Sequence, residues 1–222
     1  MSRSFDPARI RAVLFDFDGT LAEATLDFSI MRKRAREAMA AFAALPEVPI
    51  VPAMEELAQV CAALAPEQAR EVRLHTMAAI AEVEREAATR ASLFPFTRPM
   101  LAALRERGVA AAVVTRNCPD AVYAVFPDLC EHVACVLTRD DVSRVKPDPE
   151  HGGKALALIG CGPEAAVMVG DHPMDVETGK RLGAFTGAVA SGESDAGVLA
   201  EAEPDWLEKD AGTLMKKLGL MG

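Results

Sequence analysis

The 222-residue sequence lacks any apolar run close to the about 20 residues that a membrane-spanning helix requires. Its longest apolar runs, such as residues 108–114, have only the length of a strand. The polar start MSRSFDPARIR also lacks the apolar centre of a signal peptide. These absences predict a cytoplasmic protein with no membrane partner.

Cysteine pairs at disulfide or zinc-binding spacing are missing as well. The five cysteines are an odd number and contain no C-x-x-C pair, which argues against a disulfide framework and a structural zinc site. Cys118 lies in the polar stretch TRNCPD, but no activating base is evident beside it. We interpret it as a small, partly buried thiol.

An excess of positive charge is the third absence. The chain has 24 basic and 33 acidic residues, and its formal net charge is −9 at pH 7. Nucleic acids and membrane surfaces are polyanionic, so this balance argues against both as partners. With half of its residues apolar, the chain can still build a sizeable core.

The segment AVLFDFDGTLA, residues 12–22, places two acids directly after an apolar run. Val13, Leu14 and Phe15 are apolar on both alternating faces, which is typical of a strand inside a parallel sheet covered by helices. Asp16 and Asp18 then lie at the carboxyl end of that strand, where open α/β sheets bind their ligands.

The remaining sequence divides into a helical insertion and a region of alternating strands and helices. Residues 23–92 contain three helical patterns: Met31, Ala35, Ala38 or Met39, and Phe42; Leu57, Val60, Cys61 and Leu64; and Val72, Thr76, Ile80 and Val83 in a helix that opens at Pro66. The three prolines of LPEVPIVPA predict a loop between the first two helices.

From residue 93 onward strands alternate with helices, as in βαβ units. The sequence predicts an α/β fold: a Rossmann-like parallel sheet core, residues 1–22 and 93–222, with an inserted all-helical cap, residues 23–92.

Polar side chains follow several of the predicted strands. Because the carboxyl ends of parallel strands meet at one edge, we expect these side chains to converge: Asp16, Asp18, Thr115, Arg116, Asn117, Asp171 and Asp175, with Lys146 from a loop. Four carboxylates would repel one another, and a hard divalent cation removes that conflict. Magnesium suits this set of oxygen ligands.

Phosphoryl transfer is the chemistry that needs these groups. Asp16 lies nearest the strand end and is the natural nucleophile, which would form an aspartyl phosphate. Asp18, two residues further on, can protonate the leaving oxygen and later deprotonate water. Gly19 allows a sharp turn and brings backbone N–H groups close to the phosphate.

Four motifs together resemble those of the haloacid dehalogenase superfamily, in its phosphatase branch. They are DFDGTL at 16–21, Thr115 at a strand end, Lys146 in VKPDP, and VGDHPMDVETGKRLGA at 169–184. The set looks closest to phosphoglycolate-phosphatase-like members with a helical cap after the first motif. The resemblance spans nearly the whole chain.

This resemblance implies a role for each matching residue. Asp16 would be the nucleophile and Asp18 the general acid and base. Thr115 and Lys146 would bind phosphate, and Asp16 and Asp171 would bind magnesium, with Asp175 as a further ligand or as a residue that supports a ligand. We add Gly19 and Arg116 to the phosphate-binding candidates and Asp18 to the magnesium-binding candidates. Arg116 and His172 stand at variable positions of the motifs, where they could contact the substrate or have only a surface role. An acid at position 18 argues for phosphate ester hydrolysis, because a dehalogenase would lack it.

Two other functions stay open at this point. A phosphomutase would use the same residues and pass the phosphoryl group to a sugar. A receiver-like signalling domain also combines an aspartate, a threonine, a lysine and magnesium on a parallel sheet. Such a domain needs neither Asp18 nor an inserted cap, so both features count against it.

The cap is expected to select the substrate. Arg32 and Arg36 lie one turn apart in RKRAR and could bind a carboxylate or second phosphate, although such a run is often only the solvated side of a helix. The expected partner is a small phosphorylated metabolite, and the protein is expected to be a monomer or homodimer. The sequence does not identify that metabolite.

Overall fold

The structure is a computed structural model that describes residues 6–45, 47 and 52–222. Six strands form one parallel sheet in the order β3-β2-β1-β4-β5-β6. Their bounds are Ala12–Phe15 (β1), Ala110–Val114 (β2), Cys135–Leu137 (β3), Ala166–Gly170 (β4), Phe185–Val189 (β5) and Trp206–Glu208 (β6). The central position of β1 is consistent with its complete burial.

The sheet carries apolar side chains on both of its faces. Val13 and Phe15 of β1 belong to one cluster, and Ala12 and Leu14 belong to another. Six helices belong to the same unit: Thr97–Glu106 (α4), Pro119–Val125 (α5), Pro149–Ile159 (α6), Pro173–Leu182 (α7), Ala196–Glu201 (α8) and Ala211–Lys217 (α9). Residues of α4 and α9 join the first cluster and residues of α6 join the second. This two-sided burial explains why the β1 sequence is continuously apolar.

Residues Thr25–Arg90 form a second compact unit made of helices. Its helices are Phe28–Ala40 (α1), Ala53–Ala62 (α2) and Pro66–Ala88 (α3). The Asp27 carboxylate caps α1 by accepting hydrogen bonds from the backbone N–H groups of Ser29 and Ile30. The third helix begins at Pro66, as the sequence predicts.

The predicted apolar positions of the three helices mostly form the core of this unit. Between the alternatives Ala38 and Met39, Met39 is fully buried and Ala38 is only half-buried. Phe42 lies beyond the end of α1, in a turn, where it packs against the core of the unit. Of the predicted loop at residues 45–53, residues 46 and 48–51 lie outside the described residues, and Ala53 already begins α2.

The boundaries of the helical unit lie two residues inside the predicted ones. Residues up to Ala24 and from Ala91 onward belong to the sheet unit. The backbone N–H of Glu23 donates to the Ser92 carbonyl, 2.9 Å away, and Ala22 forms an antiparallel bridge with Leu93. These contacts hold both connecting segments to the sheet unit.

The α/β class, the Rossmann-like parallel sheet and the helical cap are confirmed. Among the residues that the structure describes, none of the helices combines the length and the apolar character needed to cross a membrane.

Candidate active site

Three carboxylates meet at the carboxyl edge of the sheet. Phe15 of β1 lies opposite Val169 of β4, so the next residues of the two strands emerge side by side. The backbone N–H of Asp16 donates to the Val169 carbonyl at 2.8 Å. Within the described part of the chain, Asp16, Asp171 and Asp175 each place one carboxylate oxygen within 4.8 Å of the others. The predicted convergence of distant residues is therefore present for these three acids.

Lys146 connects two of the three acids. Its Nζ lies 2.9 Å from Asp16 Oδ1 and 2.7 Å from Asp175 Oδ1, and its side chain is only 1 % exposed. Burial opposes the charged form of this lysine, but the negative charges of Asp16 and Asp175 prevail and raise the pKa of Lys146. Such burial is inconsistent with a lysine that is merely solvated in a loop.

His151 holds the loop that carries Lys146. The ring is fully buried, and its Nδ1 accepts a hydrogen bond from the Lys146 backbone N–H at 3.4 Å. This contact places the ring proton on Nε2, which donates to the Leu137 carbonyl at 3.2 Å. Burial, followed by the nearby Lys146 charge, lowers the pKa of His151 to about 4, so the ring is neutral at pH 7. Sequence reasoning missed this residue, which lies five positions after the lysine.

The negative charge of the site exceeds its positive charge. Burial, reinforced by Asp16 and Asp175, raises the pKa of Asp171 to about 8. Burial also raises the pKa of Asp175 to about 6, although Lys146 opposes this shift. A divalent cation would remove this conflict, and the oxygen atoms of three aspartates are the donors that Mg²⁺ prefers. The residues present therefore fit a magnesium ion.

Asp18 is not a member of this group of three acids. Its Oδ2 instead accepts a hydrogen bond from Asn117 Nδ2 at 2.8 Å. The four predicted ligands thus separate into a cluster of three carboxylates and a fourth carboxylate with an amide partner. This arrangement suits an acid that transfers protons, and it gives Asn117 a role that the sequence did not assign.

Gly19 and Gly192 allow two loops to close around Asp171. Gly19 has a φ of +73°, and a Cβ on it would lie 2.4 Å from Asp171 Oδ2. A Cβ on Gly192 would lie 1.9 Å from the same oxygen. The neighbouring residues fix the contact: Ser191 Oγ donates to the Gly19 carbonyl at 2.6 Å, and the Glu193 N–H donates to Asp171 Oδ2 at 2.8 Å. Sequence reasoning missed residues 191–193, whose only signal is a polar, glycine-containing stretch after β5.

Asp175 and His172 together form the start of α7. His172 is the N-cap residue, and its Nδ1 accepts from the Met174 N–H at 3.1 Å. Asp175 Oδ2 accepts from the His172 N–H at 3.1 Å, while Oδ1 contacts Lys146. Asp175 therefore both caps α7 and belongs to the cluster of three acids.

Thr115 and Arg116 follow β2 at the same edge of the sheet. Thr115 is buried, and its Oγ1 accepts from the Asn117 N–H at 3.1 Å. Arg116 is half-buried, and its Nη1 lies 3.3 Å from Met174 Sδ. The phosphate-binding roles of Thr115 and Arg116 stay predictions.

Arg32 and Arg36 are both half-buried on α1 of the helical unit. Arg36 forms an ion pair with Glu56 of α2, whose side chain is only 2 % exposed. This partner links two helices of the unit, which gives Arg36 a structural contact. The predicted recognition of a substrate anion stays a prediction for both arginines.

The fold and site define an α/β enzyme whose acidic centre, suited to a metal ion, lies at the carboxyl edge of a parallel sheet. The family model of haloacid dehalogenase-like hydrolases matches residues 13–189, and the chain belongs to that family. The resemblance stated from the four motifs is confirmed, as is the expectation of a phosphatase-type hydrolase.

Two curated relatives and one solved structure illustrate the similarity. The chain is 29% identical to pyrophosphatase PpaX of Anoxybacillus flavithermus over 223 residues, which covers 95% of this chain and 98% of the relative. It is 41% identical to pyrophosphatase PpaX of Bacillus velezensis over 85 residues, so that this match covers 38% of the chain and only 39% of that relative. A hydrolase from Pseudomonas syringae has a TM-score of 0.72 at 21% identity, with 94% of this chain and 98% of that one covered, which supports the fold.

Proposed function

We propose that the protein hydrolyses a small phosphate monoester, of the phosphoglycolate or sugar phosphate type, with magnesium and through an aspartyl phosphate on Asp16. The observation that carries this proposal is the position of Lys146. Its ammonium group bridges Asp16 and Asp175 in a site where Asp171 adds a third carboxylate. Such a site can accept a phosphoryl group between a fixed nucleophile and positive charge.

Asp16 is fixed for attack on phosphorus by contacts on one of its oxygens. Oδ1 accepts from the Phe17 N–H at 2.7 Å and contacts Lys146 Nζ at 2.9 Å. In the first step a carboxylate oxygen of Asp16 forms a bond to phosphorus, and the bond from phosphorus to the ester oxygen breaks. Protonated Asp18 gives its proton to that leaving oxygen, so an alcohol departs.

In the second step Asp18 acts as the base. Its carboxylate takes a proton from water while the water oxygen bonds to phosphorus. The bond between phosphorus and Asp16 breaks, which releases inorganic phosphate and restores both acids. Lys146 and the Thr115 hydroxyl would contact the phosphate oxygens during both steps.

Magnesium would be held by Asp16, Asp171 and Asp175. When bound, it supplies positive charge that stabilises the negative charge on the transferring phosphoryl group. The Glu193 N–H orients the carboxylate of Asp171, and the His172 N–H orients the carboxylate of Asp175.

The substrate partner is proposed to be a small phosphorylated metabolite, bound by a monomer or homodimer. Two relatives are named pyrophosphatases, so pyrophosphate is the competing substrate to be tested.

Arg32 is the better candidate for binding a second substrate anion, since Arg36 has its buried partner Glu56. The change Arg32→Glu should raise KM for anionic substrates, whereas Lys33→Glu, whose side chain is 76% exposed on the same helix, should not. Equal KM values for both variants would remove Arg32 from the proposal.

The central experiment measures free phosphate release with magnesium from phosphoglycolate, sugar phosphates, pyrophosphate and p-nitrophenyl phosphate. Asp16→Asn should abolish turnover while leaving the fold intact, because the amide has the same shape but is a poor nucleophile. Asp140→Asn makes the same change at a side chain that is 61% exposed, and it should retain activity.

Appreciable p-nitrophenyl phosphate hydrolysis by Asp16→Asn would overturn the mechanism. Transfer of the phosphoryl group to a sugar, without release of free phosphate, would identify a mutase instead. Full activity in excess chelator would contradict the magnesium requirement.

A further inference from the structure

Asn117 is the only asparagine in the sequence, and both ends of its side-chain amide have a defined partner. Oδ1 accepts a hydrogen bond from the Cys118 N–H at 2.7 Å. Nδ2 donates to Asp18 Oδ2 at 2.8 Å. Because only the oxygen end can accept from a backbone N–H, the first contact fixes the orientation of the amide, and its N–H groups must face Asp18.

The backbone of Asn117 connects this amide to the predicted phosphate-binding loop. Its N–H donates to Thr115 Oγ1 at 3.1 Å, so the threonine hydroxyl can direct its own proton elsewhere. Its carbonyl accepts from the Arg139 N–H at 3.4 Å.

Arg139 supports the same loop from the segment after β3. This residue is 6% exposed, and its Nη1 donates to the Arg116 carbonyl at 3.2 Å. A side-chain and a backbone contact therefore hold two consecutive peptide groups of the loop. The amide of Asn117 is thus presented from a braced segment, which is what accurate positioning of a neighbouring group requires.

We propose that Asn117 is a positioning residue that holds the Asp18 carboxylate in the orientation needed for proton transfer, while its backbone orients the Thr115 hydroxyl. The role of Asp18 as the proton-transferring group rests on the proposed function, whereas the hydrogen bond from Asn117 to Asp18 does not. A misplacement of about 1 Å in a reacting group can cost roughly 100-fold in rate, so a single amide contact is sufficient to matter.

A pair of substitutions separates positioning from simple support of the loop. Asn117→Asp is nearly isosteric and keeps an oxygen for the Cys118 N–H, but it replaces the N–H groups that face Asp18 with an oxygen. Asn117→Ala removes both contacts. If Asn117 positions Asp18, both variants should lower kcat about 10- to 100-fold with little change in KM. If it only supports the loop, Asn117→Asp should keep a kcat close to wild type, and that result would overturn the proposal.

A spectroscopic measurement tests the contact independently of any activity. Labelling with ¹⁵N-asparagine gives the full chain one side-chain amide pair. In the metal-free protein we expect a downfield amide proton that moves in Asp18→Ala and stays in place in Asp6→Ala, which removes an exposed carboxylate ahead of β1. Amide signals typical of a solvent-exposed asparagine, unchanged by Asp18→Ala, would overturn the proposal even if Asn117→Asp fails to fold. Wild-type protein inactive toward every phosphate ester would defeat the proposed function but leave this result unaffected.

Discussion

Lys146 is the residue that determines the charge balance of the site. Its ammonium group is almost completely buried and touches Asp16 and Asp175. Removing one partner of a buried ion pair typically costs about 3–5 kcal/mol, because the remaining charge is left without compensation. Within the part of the chain that the structure describes, the lysine makes no ion pair with Asp171, the third acid. The pKa of Asp171 is raised to about 8, further than that of Asp175, which is raised to about 6.

The raised pKa of Asp171 makes stability depend on pH in the metal-free protein. Burial and the neighbouring acids raise this pKa to about 8, while an unfolded chain has a value of about 3.9. Between these values the folded state keeps a proton that the unfolded state has lost, so the contribution of Asp171 to stability falls as the pH rises from about 4 to about 8. Asp171→Asn has no such titration.

We therefore expect Asp171→Asn to be more stable than the wild type at pH 8 in the presence of chelator. The advantage should be at least about 1 kcal/mol, since a tenfold change in proton affinity corresponds to about 1.4 kcal/mol. It should shrink as the pH is lowered to 5. Urea unfolding of both proteins at several pH values measures it, and a constant difference across that range would contradict the prediction.

The loop after β5 contacts the site through residues 191–193. Ser191 and Glu193 make hydrogen bonds to the Gly19 carbonyl and to Asp171, and Gly192 between them has no room for a side chain. The loop therefore fixes both the carboxylate and the turn that follows Asp18.

Gly192→Ala should disturb this loop, because its Cβ would overlap Asp171 Oδ2. We expect a loss of about 1–3 kcal/mol in unfolding free energy, as for other overpacked sites, together with a marked loss of phosphatase activity. Gly153→Ala is the matched control. It lies within α6, and the nearest contact of its Cβ would be an ordinary 3.7 Å to Leu182, so it should be neutral or slightly stabilising. Equal melting temperatures and activities for the two variants would contradict the prediction.

The elements that the sequence predicted are those with a strong periodic pattern. The strands β1, β2 and β4 are continuous apolar runs, β5 is apolar except at Thr186, and α3 places Val72, Thr76, Ile80 and Val83 on one buried face. Helices α5, α8 and α9 and strand β6 were not predicted. They have three to seven residues, too few for a period to be recognised, and the residues of β6 are only half-buried.

The candidate site was predictable to the extent that parallel strands bring their carboxyl ends together. That rule, with the motifs, identified Asp16, Lys146 and the two acids near β4. It placed Asn117 at this edge without a role, and it could not identify His151 or residues 191–193 as parts of the site. Their contribution consists of single hydrogen bonds whose partners are known only once the loops are placed in space.

At the scale of the whole molecule, an acidic chain is proposed to bind an anionic substrate. The net charge of −9 disfavours that binding, and the acids of the site add to the repulsion. A divalent cation resolves both difficulties at one point, while sodium can only screen them.

Magnesium should therefore stabilise the whole folded chain by specific binding. A ligand at 100 times its dissociation constant contributes about 2.7 kcal/mol to folding stability. We expect the melting temperature of the wild type to rise with magnesium concentration, and that of Asp171→Asn to rise much less. Sodium chloride at matched ionic strength is the control. An equal rise with both salts would indicate screening alone and would contradict a magnesium site.

The backbone hydrogen bond from Asp16 to the Val169 carbonyl has a consequence for engineering. It ties the proposed nucleophile to the strand that precedes Asp171, so the distance between these two proposed magnesium ligands follows the fixed spacing of parallel strands. Calcium requires longer bonds and more ligands than magnesium. A redesign that aims to favour calcium over magnesium should therefore begin in the turns at residues 19–22 and 191–193, because the spacing of the strands in the sheet is fixed.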